Sequence, residues 1–383
     1  MKTHQCISRF FILVFCFMFY GTSLHTQTVI HYPKTDESLD QRWKWAIAEA
    51  GKRGLSQPYW IGYSFKKFMA RNSFTGSFYS DERRNKPALC EILGLQPCFK
   101  EKPILNMGHH ETMSGNITRC DNSNNSEQEI VKDIGVLFEV DHSKKGSELI
   151  TDMKTSNLSL YVDLNDETVL WLGEADDSAS IGFLQSEYDQ HQPEEIQKKI
   201  ISVVGLHPPT KIAITFLSRI LKEGNRTEVR KDAAFWLGQL DSDEALDVLT
   251  ETATNDESDE VMESAVFAIS QMHSDKSTET LISLARTGKD EEMRKKAMFW
   301  LAQKASKKAT ATIEEIANDN DNEEIQKNAV FALTQLSDNE GVEPLIKIAK
   351  THANPEVRKS AIFWLGQSED KRALDALIEI IHN

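Results

Sequence analysis

The sequence predicts a mainly α-helical protein: a C-terminal α-solenoid of helix pairs about 32 residues long, preceded by a small α+β domain. Three observations predict it. Phe235, Phe267, Phe299, Phe331 and Phe363 stand 32 residues apart without a slip. Inside each unit the apolar positions recur every three or four residues, the period of a helix with one buried face. Upstream of about residue 160 that period is absent, and short apolar runs alternate with polar segments.

The elements follow in chain order. Residues 1–26 carry Lys2 and Arg9, then an unbroken apolar run from Phe10 to Tyr20, then Gly21, Thr22 and Ser23. A basic start, a short apolar stretch and small residues describe a cleavable secretory signal. Eleven apolar residues fall short of the roughly 20 that span a bilayer. The expected location is therefore secreted or periplasmic, without stable membrane insertion.

Residues 28–160 are expected to form the small α+β domain. Asp40 to Gly54 reads as an amphipathic helix with Trp43, Ile47 and Ala50 on one side. Trp60 to Tyr63, Ile130 to Val140 and Leu158 to Val162 read as strands. Of five cysteines, Cys6 and Cys16 belong to the signal, leaving Cys90, Cys98 and Cys120. Three is too few for a disulfide-built fold. One bridge is possible, Cys90–Cys98 being the nearest pair, and free thiols are the alternative. The Asn-x-Ser/Thr sites are Asn116, Asn124, Asn157 and Asn225. His109-His110-Glu111, with His31 and His142 elsewhere, is the one tempting ligand cluster, but adjacent histidines point to different sides of an element, and the spacing favours an ordinary surface or turn.

Residues 165–383 are assigned to the solenoid, with five clear repeats and up to two degenerate ones. Val204-Gly205 continues the pattern upstream, and Trp171-Leu172-Gly173-Glu174 matches it once more. Ala233, Ala265, Ala297, Ala329 and Ala361 are invariant, and Leu237, Ile269, Leu301, Leu333 and Leu365 are all branched aliphatics. Second helices carry a core column of Leu249, Leu281, Ile313, Leu345 and Leu377. Ser258, Asp290, Asn322 and Asn354 precede first helices, and Ser242, Ser274, Ser306, Asp338 and Asp370 precede second helices. Such side chains accept hydrogen bonds from the free N–H groups of a first turn. Helix pairs this short bury their faces only by stacking on neighbours. At the far end Ile378, Ile380 and Ile381 lie in a last helix with no polar capping repeat after it, which predicts an adhesive end.

Some columns invite a functional reading. Position 236 and its equivalents alternate Trp236, Ala268, Trp300, Ala332, Trp364, and position 230 alternates Arg230, Met262, Arg294, Gln326, Arg358. Trp236, Trp300 and Trp364, with Arg230, Arg294 and Arg358 nearby, are candidate binding residues, since Trp and Arg are enriched at interface hot spots. The competing reading is that each Trp packs on the small residue of its neighbour. Gln239, Gln271, Gln303, Gln335 and Gln367 form an unbroken amide column. With the Phe column they are read as structural, the amides satisfying backbone at the turn between helices. The polar stretch 318–324 lacks the Gly and terminal Glu of a calcium loop and reads as solvated loop and cap.

The stretch from Val229 to Leu240, Val-Arg-Lys-Asp-Ala-Ala-Phe-Trp-Leu-Gly-Gln-Leu, resembles the short HEAT-like repeats of the phycobilin-lyase and deoxyhypusine-hydroxylase type. With the signal segment, the whole resembles bacterial secreted HEAT-repeat proteins. The class contains chromophore lyases, an iron oxygenase and many scaffolds, so the resemblance implies a fold and no single activity. In the hydroxylase, His-Glu pairs on the repeat helix hold iron. The resemblance places them at Lys231-Asp232, Glu263-Ser264, Lys295-Lys296, Lys327-Asn328 and Lys359-Ser360. None is His-Glu, so no metal or cofactor is expected.

The formal net charge of −15 argues against nucleic acid, whose phosphates are bound through Lys and Arg. No nucleophile elbow, phosphate loop or dinucleotide fingerprint occurs. The expected function is a non-enzymatic scaffold of the cell envelope, its concave surface of second helices binding a protein or peptide. An alternative is a lyase or oxidoreductase with its site at the domain junction, involving the His109–Glu111 segment. A third is an assembly module joining through its last helix.

Overall fold

A computed structural model describes residues 27–34, 36–71, 73–76, 86–98, 129–146, 149–190, 192–304, 307–319 and 322–382. The N-terminal part is a five-stranded mixed sheet of β1 (Val29–His31), β2 (Tyr59–Ala70), β3 (Glu129–Val140), β4 (Ile150–Asn157) and β5 (Val169–Glu174), in the order β1-β5-β2-β3-β4. β2, β3 and β4 are antiparallel neighbours, whereas β5 runs parallel to both β1 and β2. Successive side chains of a strand face opposite sides, and both sides are buried here. Tyr59, Ile61, Tyr63 and Phe65, with Val136 and Phe138, face one core. Trp60, Leu137 and Trp171 face the other.

Helix α1 (Leu39–Lys52) covers the first side. Ser38 caps it, accepting from the Gln41 N–H while the Gln41 amide accepts from Ser38 N–H. Leu39, Trp43, Ala46 and Ala50, spaced four, three and four apart, form its buried face. The one-turn helix α2 (Leu89–Ile92) covers the second side, where Cys90 and Cys98 are bridged with their Cα atoms 5.6 Å apart. Gly62 lets Trp171 and Leu137 pack closely there, since a Cβ would lie 3.1 Å from the Trp171 ring and 3.2 Å from Leu137 and push them aside.

The solenoid begins with α3 (Asp177–Asp189). Six helix pairs follow: α4 (Glu194–Leu206) with α5 (Lys211–Glu223), α6 (Thr227–Leu240) with α7 (Asp243–Asn255), α8 (Asp259–Gln271) with α9 (Asp275–Thr287), α10 (Glu291–Gln303) with α11 (Lys307–Asp319), α12 (Glu323–Thr334) with α13 (Val342–Thr351), and α14 (Pro355–Gln367) with α15 (Lys371–His382). The alanine and branched columns of the first helices are all buried, and first helices stack directly on one another. Ser242, Ser258, Ser274, Asp290, Asn322 and Asn354 cap helices as their positions predict. One continuous apolar cluster runs from the sheet through α1 and α3 into the repeats. Trp43 marks the seam, 5.3 Å from the Phe138 ring of β3 and 5.1 Å from the Phe183 ring of α3.

The boundary between the two parts differs from the expectation in an instructive way. Trp171-Leu172-Gly173-Glu174 is not a degenerate first helix but the end of β5. The fully apolar run Val169 to Leu172 sends Val169 and Trp171 to one core and Leu170 and Leu172 to the other, as a central strand buried on both faces does. The helix that follows it, α3, occupies the place of a second helix, so the sheet substitutes for the first helix of an incomplete unit. The solenoid thus starts at residue 177 with one degenerate pair, α4–α5, and five regular ones. Leu158 to Val162 is also not a strand. It opens as a turn, Leu160 N–H donating to the Asn157 carbonyl, with Leu158, Leu160 and Val162 buried, and its backbone is used elsewhere: the carbonyls of Leu158 and Leu160 accept from Cys90 N–H and Leu89 N–H of α2. Asp338 does not start a second helix, since a 3-10 turn (Ser337–Asn339) intervenes and α13 begins after Gly341.

Candidate functional site

Spacing on a helix decides which repeated side chains share a face. Residues four apart stand one above the other, so Lys231, Phe235 and Gln239 line one strip of α6, as do their equivalents on α8, α10, α12 and α14. The strip is open to solvent. Phe235 is 36 % and Phe363 58 % exposed, the other three phenylalanines are half-buried, and Gln239, Gln271, Gln303 and Gln367 are exposed. The Phe column is therefore no core column; the core runs through the alanines and branched residues beside it. Two of the amides bond locally: Gln271 and Gln335 donate to the neighbouring hydroxyls of Ser270 and Thr334 at 3.1 and 2.9 Å.

The tryptophans lie beside the Phe column, half-buried against the core. Trp236 covers Gly205 of α4, where a Cβ would come within 2.2 Å of the indole. Trp300 and Trp364 lean on the preceding repeat's Phe267 and Phe331, with ring centroids 4.7 and 5.1 Å apart. In the alternate repeats Ala268 packs on Gly238 instead. Rings therefore meet across repeats in two groups, Phe235, Phe267 and Trp300, and Phe331 with Trp364, along the first-helix row.

The arginines are elsewhere. Position 230 is six residues from 236, about 240° around the helix at 100° per residue, and the Arg column points to the ends of the second helices. Arg230 Nε donates to the Leu221 carbonyl at 2.7 Å, and its guanidinium pairs with Asp256 in a contact where both side chains are 15 % exposed or less. Arg358 donates to the carbonyls of His352 and Ala353. The stem of Arg294 packs on Gly288 at the end of α9. Arg230, Arg294 and Arg358 are helix-end clamps, and the structure does not bring them together with the tryptophans.

A shallow groove of about 240 Å³ opens in the first-helix row, lined by Glu263, Lys295, Lys296, Phe299, Trp300, Asn328 and Phe331. It lies at the very positions where the resemblance places the hydroxylase's iron ligands. Here Lys296 pairs with Glu263, Lys295 with Glu291 and Lys231 with Glu228, so the strip is held by ion pairs. A second groove of about 490 Å³ lies between α7 and α9, lined mainly by Thr250, Thr254, Lys276, Glu279 and Ser283, without a residue pattern that repeats along the array.

One polar cluster had no signal in the sequence. At the junction of sheet and solenoid, Ser180 Oγ is 3.0 Å from His207 Nε2, His207 Nδ1 is 2.7 Å from Asp177 Oδ1, and the Tyr63 hydroxyl is 2.8 Å from Ser180 Oγ. These residues come from β2, α3 and the cap of α4, and no motif spacing links them. Residues 1–26, His109-His110-Glu111, Cys120, Asn116 and Asn124 lie outside the described residues. Of the other candidates, His142 Nε2 is 2.7 Å from the Tyr59 hydroxyl. Asn157 is fully buried with its amide accepting from Thr75 N–H at 2.7 Å, which leaves no room for a glycan there.

Comparison with known proteins agrees with this architecture. No curated protein matches the sequence. Among solved structures, human deoxyhypusine hydroxylase aligns over 52 % of this chain and 85 % of its own, at 15 % identity and a TM-score of 0.23. The CpcE–CpcF complex of phycocyanin lyase from Nostoc sp. aligns over 53 % of this chain and 87 % of its own, at 20 % identity and a TM-score of 0.30. At such scores neither structure bears on the chemistry of this chain. A family model described as HEAT repeats matches residues 181–270, 214–302, 278–351 and 310–383. The matches together span 181–383, more than half of the sequence, and the protein belongs to the HEAT repeat family.

Proposed function

We propose that the protein is a non-enzymatic scaffold of the cell envelope that binds a partner protein through an extended segment laid along the first-helix row. The observation that carries this reading is the Phe–Gln strip, wholly or partly exposed in each of five successive repeats. The helical core does not use the exposed faces of these side chains. A side-chain amide offers both donor and acceptor, the pair that one peptide unit presents, and half-exposed rings offer apolar surface between the amides. Packed helices are about 8–10 Å apart and an extended chain rises about 3.3 Å per residue, so each repeat matches roughly three partner residues. This moves the expected binding surface from the second helices to the first, because the repeated exposed side chains are there. The signal-like residues 1–26 and the Cys90–Cys98 bridge support an oxidising, extracytoplasmic location.

The test is capture of partners from the envelope fraction on the tagged protein, in parallel with a Gln239→Ala/Gln271→Ala/Gln303→Ala variant. These amides are exposed, so the variant should unfold at the same temperature. The expected result is a near-stoichiometric partner retained by the native protein and lost from the variant, but kept by a Thr250→Ala/Thr254→Ala/Ser283→Ala variant of the other groove. Retention by the Gln variant would refute the assignment of the face.

A hydrolytic reading of the domain junction, distinct from the lyase or oxidoreductase alternative, has one observation in its favour, the order Ser180–His207–Asp177, which is that of a hydrolytic triad. Burial speaks against it. Ser180 has no exposed surface and Tyr63 covers its hydroxyl, so no substrate carbonyl can approach.

A further inference from the structure

The hydrogens of the junction cluster can run in only one direction. The Asp177 carboxylate accepts, so His207 Nδ1 carries the proton. In a neutral ring Nε2 then accepts, and Ser180 must donate to it. Ser180 Oγ is left to accept from the Tyr63 hydroxyl. The chain Tyr63→Ser180→His207→Asp177 ties β2 to α3 and α4, where the solenoid seats on the sheet. His207 is 2 % exposed and its ring stacks on Phe65 with centroids 3.9 Å apart.

We propose that this chain is a proton-sensitive joint: a proton added to His207 reverses the chain and loosens α3 and α4 from the sheet. A protonated Nε2 donates to Ser180, whose own hydrogen loses its ring acceptor. It reaches the Tyr63 oxygen only by displacing the Tyr63 hydrogen, so one buried hydroxyl hydrogen is left without an acceptor in the chain, and a buried donor without a partner is costly.

The charged groups around the ring act in both directions. Burial, the largest influence, holds the His207 pKa below the ordinary imidazole value, the Asp177 carboxylate on α3 opposes this, and the Lys67 ammonium on β2 adds to it. Lys67 itself donates to the Leu206 carbonyl, and Glu129 on β3 acts on Lys67. Farther along α4, Asp152 of β4 pairs with Lys199 and Asp232 of α6 with Lys198. A histidine whose folded pKa is depressed binds fewer protons folded than unfolded, so it favours folding above the unfolded value, near 6.5, and this support is lost as pH falls below it. Glu187, farther along α3, has the opposite sign, since burial pushes its pKa up to about 7. It must be removed for the histidine to be seen.

The experiment uses the full chain carrying Glu187→Gln. Hydrogen exchange of α3 and α4 amides, corrected for intrinsic rates, is followed from pH 7.5 to pH 5. The expected result is several-fold faster exchange in α3 and α4 at pH 5, with the distant α12 and α14 unchanged. Adding His207→Gln should abolish the pH dependence. In the parent the His207 ring carbon protons, followed by NMR, should titrate over the same pH range as the change in exchange. If His207→Gln fails to fold, this titration decides. An unchanged pH slope in the folded variant, a His207 titration outside the range of the exchange, or no slope in the parent overturns the joint.

Discussion

At the scale of single residues, burial separates ion pairs that matter from those that do not. Arg230 and Asp256 are both largely buried, and Arg230 also closes the end of α5 through Leu221. Removing one member leaves the other charge without its partner, so Arg230→Ala should cost about 3 kcal/mol in chemical denaturation. Lys359 pairs with Glu356 with 71 % and 50 % of their side chains exposed. Water screens such a pair, and Lys359→Ala should change stability by no more than about 0.5 kcal/mol. Glu187 offers a pH test. Its raised pKa means that folding takes up a proton between the unfolded carboxyl value of 4.5 and about 7, so its contribution to stability declines as pH rises through that window. Glu187→Gln should therefore stabilise the protein at pH 8, by about 1–3 kcal/mol, and have little effect at pH 4. The measurement is the unfolding free energy at both pH values, and a gain at pH 4 alone would contradict the sign.

At the scale of the element, the same Trp-Leu-Gly letters serve different physics. In α6 Gly238 lies against Ala268 of α8, where a Cβ would meet the Ala268 carbonyl at 2.8 Å, whereas in α14 Gly366 has nothing within 4 Å. Gly366→Ala should stabilise by about 0.5–1 kcal/mol through helix propensity alone. Gly205→Ala, which would put a methyl into the Trp236 ring, should instead cost about 1–3 kcal/mol by overpacking. Thermal unfolding of the two variants should move in opposite directions. In β5 the letters form a strand, because a run apolar at every position buries both faces of a sheet as readily as it fills a helix. Sequence alone does not arbitrate such a run when it is short; the neighbours β1 and β2, which supply its hydrogen bonds, do.

At the scale of the whole molecule, sheet and solenoid share one apolar cluster, so disturbing the junction should be felt in both. The α15 face carries Leu374, Ile378 and Ile381 at 58 %, 48 % and 81 % exposure, while Ile380 packs partly against the core. The proposed binding strip extends over five repeats, which would make affinity a sum of several contributions. Successive Gln→Ala substitutions should accordingly weaken partner capture in steps rather than abolish it at one position.

The 32-residue period, the helix pairs, their caps and their buried columns were legible in the sequence because they depend on local spacing and on side chains that act within a few residues of their own position. Even the open Phe–Gln strip was within reach, since four-residue spacing places the two columns on one face; reading both columns as structural hid it. Tertiary structure alone decided the rest. Whether Trp171 belongs to a helix or a strand, where the guanidinium of Arg230 finds its carbonyl, and how Tyr63, Ser180, His207 and Asp177 meet all depend on partners far away in the chain. Contacts of that kind leave no period in a sequence, because they join segments whose separation is set by packing and not by the pitch of any one element.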